Sequence, residues 1–295
     1  MKAGKSERRE VGRSVQRGAA VILLLSVYPV ILAAQYDECR PGPASHEAQT
    51  LGIFSVPLAF SGTSAPGKLT RVTLGLEASR VPSVDPVTAT PTICRPGKGP
   101  ENTDALPALA RPRIGVPLPL GLALEASWIP PIRVNGVEAN LFGFALTRSV
   151  GRADGLTAAL RAHATFGTIK APVTCDESAI LDPVSECFHG SVSDDRYSPN
   201  ILGLELSVGW PMAGGRLRPY VGSGYNHLQP RFQVNFTNQF GQTDTTPVEV
   251  NLDRAVLFGG ASWKLTRHLD ISGEVYSSLS DAVTGRFVIR RALGS

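Results

Sequence analysis

The sequence predicts an all-β fold: an up-and-down antiparallel β-barrel of about ten strands. Three observations carry that reading. Apolar and polar residues alternate with a period of two in segment after segment, as in Leu202-Gly-Leu-Glu-Leu-Ser-Val-Gly-Trp210, the mark of a strand with one apolar and one polar face. The connections between these segments alternate between long and short. No stretch beyond residue 34 keeps a helical period for three turns.

In chain order, residues 1–34 come first and stand apart. Lys2, Lys5, Arg8, Arg9, Arg13 and Arg17 precede an apolar run from Ala19 to Ala34 that ends in the small residues Ala33 and Ala34. This is the form of a secretory signal peptide. At 16 residues, interrupted by Pro29, the run is short for a membrane helix, which needs about 20. Cys39 lies five residues past Ala34, too far for a lipoprotein anchor. Removing 1–34 takes six basic and two acidic residues from totals of 29 and 25, leaving 23 of each. The basic isoelectric point therefore belongs to the signal, and no basic aromatic patch remains to argue for nucleic acid.

Residues 35–67 form a lead-in to the barrel of residues 68–295. Leu51–Val56 has a strand-like apolar character weakened by Pro57 and Pro66, and a partly ordered segment, or a plug inside the barrel, is expected. Alternating segments follow at 69–79, 111–118, 120–130, 137–149, 156–169, 200–211, 216–229, 248–264, 269–278 and 285–293. Segment 111–118 carries three prolines and has the weakest strand pattern. Ten strands are the central expectation within a range of eight to twelve. Long polar connections at 80–110, 170–199 and 230–247 fall at one end of the array, and tight turns such as Met212-Ala-Gly-Gly215 and Thr266-Arg-His268 at the other. Membrane barrels have this asymmetry.

The composition of the two faces separates a membrane barrel from a soluble one. Opposite the aliphatic phase stand Glu77, Glu125, Glu205 and Glu274, together with Arg161 and His163. The apolar phase of 156–168 is Leu, Ala, Leu, Ala, Ala, Phe, thin for a core but suited to acyl chains. Trp128, Trp210 and Trp263 fall near strand ends, where an interfacial aromatic belt would stand. The acids, with Arg148, Arg161, His163 and Arg254, are expected to form an ion-pair network that fills a narrow lumen, because barrels of few strands are filled by side chains. A charged pore lining is the alternative.

On this alternation and loop asymmetry, over about residues 68–293, the chain resembles the small Gram-negative outer-membrane β-barrel proteins, an OmpA/OmpW-like class. The resemblance implies the cell outer membrane as location, its lipid and the barrel-assembly machinery as partners, and no cofactor. Such proteins usually close on a terminal aromatic. Here the chain ends Phe287-Val-Ile-Arg-Arg-Ala-Leu-Gly-Ser295, without one.

The four cysteines of an exported chain favour disulfides. Cys175 and Cys187 flank eleven residues, and closing that loop is worth about 3 kcal/mol in the chain-entropy model. Cys39–Cys94 is the second expected bond, and it requires 35–66 to thread the lumen. A zinc site would need a C-x-x-C spacing or paired histidines that are absent here. His189, Ser193, Asp194, Asp195 and His227 fall in or beside long loops, without the spacing of a nucleophile and its base; Asp194-Asp195 reads as a solvated pair. A non-enzymatic surface or narrow-channel protein is expected. A transporter of small or hydrophobic solutes and a soluble periplasmic β-protein are the alternatives.

Overall fold

A computed structural model describes residues 38–151 and 155–294. The expected signal peptide lies outside the described residues, as do Arg152, Ala153 and Asp154 of one short turn. Ten long strands form the wall: β1 (Thr73–Arg80), β2 (Ala108–Pro117), β3 (Leu122–Ile129), β4 (Val137–Gly151), β5 (Thr157–Ala171), β6 (Ile201–Gly209), β7 (Leu217–Leu228), β8 (Leu252–Lys264), β9 (Leu269–Ser278) and β10 (Val283–Ala292). Each pairs antiparallel with the next in sequence, and β10 pairs with β1 from Thr73↔Ala292 to Ser79↔Arg286. The sheet is therefore a closed barrel, which leaves no edge among these strands. Pro112 is tolerated in β2 because the β2–β3 register runs only from Arg113 to Pro117, so its missing N–H falls outside that ladder.

The faces are turned as the period of two requires. Leu202, Leu204 and Leu206 are 61%, 52% and 54% exposed on the outside of β6, while Glu205 between them is 2% exposed and faces the axis. A soluble barrel would bury those leucines. This outward apolar wall is that of a transmembrane β-barrel.

The long connections 81–107, 172–200 and 229–251 gather at one end, with the four tight turns and both ends of the wall at the other. The long ones are a folded cap rather than free loops. The outer end of β5 continues into a small sheet made by Asp195–Ser198, Arg231–Gln233 and Pro247–Glu249, and Cys39 pairs on its edge opposite Val248. Arg95 joins all three connections, bonding Glu186 at 2.7 Å and Asp244 at 3.4 Å while its guanidinium lies over Phe236. Disulfides link Cys39 to Cys94 and Cys175 to Cys187.

The lead-in differs from its sequence reading. His46–Ser55 is an α-helix, α1, followed by a 3-10 turn over Val56–Leu58. Ser45 caps it by accepting from the Ala48 N–H at 3.1 Å, and Pro57 ends it. Its buried residues are Ala48, Leu51, Gly52 and Ser55, a helical i, i+3, i+4, i+7 face. Because that face is made largely of small residues, Leu51, Ile53 and Phe54 dominate the pattern and read as strand. Past α1 the chain descends through the barrel and enters β1 at the tight-turn end.

Replacing Cys39 and Cys94 together by serine opens a loop whose cysteines are 55 residues apart, a loss of about 4 kcal/mol in the chain-entropy model. We expect a lower melting temperature, an intact barrel by circular dichroism, and new protease cleavage before residue 46.

Candidate functional site

The lumen is the most highly organised part of the molecule. Residues 56–66 run down it with few partners of their own, so their carbonyl oxygens must be met from the wall. Arginines meet most of them. Arg286 donates to the Val56 carbonyl at 2.6 Å, Arg111 to Pro57 at 3.0 Å and Leu58 at 3.3 Å, Arg161 to Phe60 at 3.1 Å, and Arg113 to Ser61 at 2.9 Å. Lower down, Arg218 and Thr157 donate to the Pro66 carbonyl at 2.8 and 2.9 Å. Arg290 donates to the Ser64 hydroxyl at 2.8 Å.

Phe60 is the pivot of this segment. It is fully buried, and the guanidinium carbons of Arg113, Arg161 and Arg111 lie 4.3, 5.1 and 5.4 Å from its ring centre, within cation–π range. The ring fits because position 143 is glycine: a Cβ there would lie 3.1 Å from Phe60 and 2.4 Å from the Ser127 hydroxyl.

The glutamates of the wall offset the arginines. Glu77 bonds Arg113 and lies 3.4 Å from Arg111. Glu125 bridges Arg113 and Arg161 at 2.8 and 2.7 Å. Glu274 lies 3.6 Å from Arg286 and accepts from Ser61 at 2.6 Å and Tyr220 at 3.1 Å. Glu205 faces His163 at 3.4 Å, where a Cβ at Gly203 would collide with the imidazole. Glu77, Glu125 and Glu274 are thus paired with arginines, which buried charges require, whereas the Glu205–His163 approach carries no hydrogen bond.

Two expected members lie elsewhere. Arg148 is exposed on the outside of β4, because it pairs with outward Leu160; its neighbour Thr147 takes the inward position and accepts from Arg161. Arg254 sits near the cap and bonds Asp281 at 2.8 Å. Arg111, Arg113 and Arg286 are the members that sequence reasoning missed. Arg111 and Arg113 are two apart around Pro112 and so share a face, a signal hidden by the prolines of that segment.

The tryptophans stand outside. Trp128 stacks on Phe142 near the cap end, and Trp210 and Trp263 are exposed beside the tight turns. Asp195 is not a solvated loop residue: it is 1% exposed and accepts from the N–H groups of Val173, Thr174 and Asn235 and from the Ser193 hydroxyl. Asp194 stays at the surface near Arg133 and Lys170. His189 stacks on Phe188, and His227 pairs with Asp253 at 2.8 Å. None of these is aimed at a common reacting atom.

Above the lumen, α1 and the cap bound a cavity of about 150 Å³, lined by Leu51, Phe54, Leu58, Val81, Leu106, Leu109, Val137, Ile169, Phe232 and Val248 among others. Glu101 lies at its edge beside Lys98. Burial pushes its carboxyl up from 4.5 to about 7, outweighing the pull of Lys98 and Arg95.

No family model and no curated protein matches the chain. Among solved structures it is similar to Ail, the attachment invasion locus protein of Yersinia pestis, at 10% identity over 75% of this chain and 95% of that one, with a TM-score of 0.31. It is also similar to the Neisserial surface protein A, at 10% identity over 75% and 97%, TM-score 0.28. A third is the translocator domain of the autotransporter NalP from Neisseria meningitidis, at 10% identity over 84% and 95%, TM-score 0.30. At such scores these similarities add nothing to the closed register and outward apolar wall, which stand by themselves.

Arg113→Ala leaves Glu77 and Glu125 each short of a partner and is expected to cost about 3–5 kcal/mol in chemical denaturation, whereas Arg148→Ala changes stability by less than about 0.5 kcal/mol. For Glu101 the folded-state pKa lies above the unfolded value, so its contribution is present below about pH 4.5 and lost as pH rises toward about 7. Glu101→Gln should flatten the fall in melting temperature across that window.

Proposed function

We propose that the chain is an outer-membrane barrel sealed by its own N-terminal segment, which presents a cross-linked cap outward and does not catalyse a reaction. One observation carries this reading. Residues 56–66 fill the lumen, and arginines neutralised by wall glutamates hold them there. A conducting pore needs those charges facing water, and here they face the plug and each other. The hydrolytic candidates are spent on structure, Asp195 on loop donors and His189 on Phe188. With both ends of the wall on the tight-turn side, that side faces the periplasm and the long connections face outward. The segment before α1, which is bonded to the cap through Cys39–Cys94, is then exposed outside the cell.

Planar-bilayer recordings of the purified full-length chain should show no steps above leak; regular conductance steps would contradict the sealed lumen. A peptide tag inserted between Gly42 and Pro43 should be labelled on intact cells, and one at Arg267 only after permeabilisation. The opposite pattern would invert the orientation.

A further inference from the structure

Beyond the sealed lumen, we propose that the cavity between α1 and the rim of the barrel is a binding site for one uncharged, single-ring hydrocarbon. Its volume, about 150 Å³, is that of an apolar cavity able to take up benzene. Its wall is aliphatic and aromatic: Leu51 and Phe54 from α1, Leu109, Val137 and Ile169 from the strands, and Val248 from the cap. Such a surface favours an apolar guest that removes it from water.

Most polar groups on the cavity's border are already committed, which disfavours a charged guest. Glu47 accepts from the N–H groups of Thr92, Ile93 and Cys94 at 2.9, 2.7 and 2.9 Å. Asp195 is occupied by its four donors. Asn102 donates to Asp176 at 2.9 Å and Thr50 to the Thr88 carbonyl at 2.9 Å. Tyr197 donates to the Leu51 carbonyl at 3.1 Å and shares a bond with Ser55. Glu101 is engaged by Lys98. Arg95 keeps one unpartnered donor, Nη1, but its charge is already offset by Glu186 and Asp244, so a carboxylate or ammonium entering here would lose its hydration for little return.

The walls also cannot close the space by relaxing. One side is the closed barrel rim. The other is α1, held between the Cys39–Cys94 bridge ahead of it and Arg286 on the Val56 carbonyl behind it. A site kept open in this way meets its guest without a reorganisation cost.

The test is a titration of the full-length protein in lipid nanodiscs with fluorobenzene, followed by ¹⁹F NMR. The expected result is a saturable bound signal at one per chain, displaced by benzene but not by benzoate. Ala105→Leu and, separately, Ala89→Leu place added carbon in the cavity and should each weaken binding roughly tenfold or more, with the barrel retained by circular dichroism. If either variant fails to fold, the wild-type titration against empty nanodiscs decides alone. Linear, unsaturable uptake equal to that of empty nanodiscs, or saturable uptake unchanged in a folded cavity-filled variant, would overturn the proposal. Neither outcome bears on whether the lumen conducts.

Discussion

The structure depends on one constraint: a chain segment with unsatisfied carbonyls is held inside a barrel whose wall supplies the donors. Arg286, Arg111, Arg161 and Arg113 reach the carbonyls of residues 56–61. Four buried guanidinium groups would be costly without partners, and the wall also supplies Glu77, Glu125, Glu205 and Glu274 on the same inward phase. The arginines are shared between two duties, cancelling the acids and bonding the plug. Removing the plug would strip them of the second, and removing an acid would leave them uncompensated in the first. That reciprocity makes the segment part of the barrel's interior rather than a removable stopper.

The cap follows from the same anchoring. Because residues 56–66 are fixed, α1 is fixed above them, and the three long connections fold over α1 rather than moving freely. Arg95 bonds two of these connections from the third. Asp195 gathers backbone donors from the start of its own connection, Val173 and Thr174, and from Asn235 of the next. The result is a mouth built of packed side chains with a defined apolar void, not a polar funnel.

Much of this was legible in the sequence, and the rest was hidden for identifiable reasons. The ten strands, their facing and the inward glutamates follow from a period of two that backbone geometry imposes. Export favoured two disulfides, and pairing Cys39 with Cys94 called for residues 35–66 to thread the lumen, whereas only 56–66 run down it and Cys39 and α1 stand at the cap. The helix was missed because Ala48, Gly52 and Ser55 form a face with almost no hydrophobic signal. Arg148 was misassigned because the phase of β4 was not carried through to its end: one residue of shift moves a side chain from lumen to lipid. The arginine cage around Phe60 was not visible at all, since its members come from β2, β5 and a segment remote from both in sequence, and only barrel closure brings them together.

The central claim is that residues 56–66 are a fixed part of the interior, and hydrogen–deuterium exchange of the full-length protein in nanodiscs tests it most directly. Peptides spanning 56–66 should exchange as slowly as those from β4 and β5, over hours. Exchange within seconds there, with the strands still protected, would show a segment that leaves the lumen freely and would contradict the account.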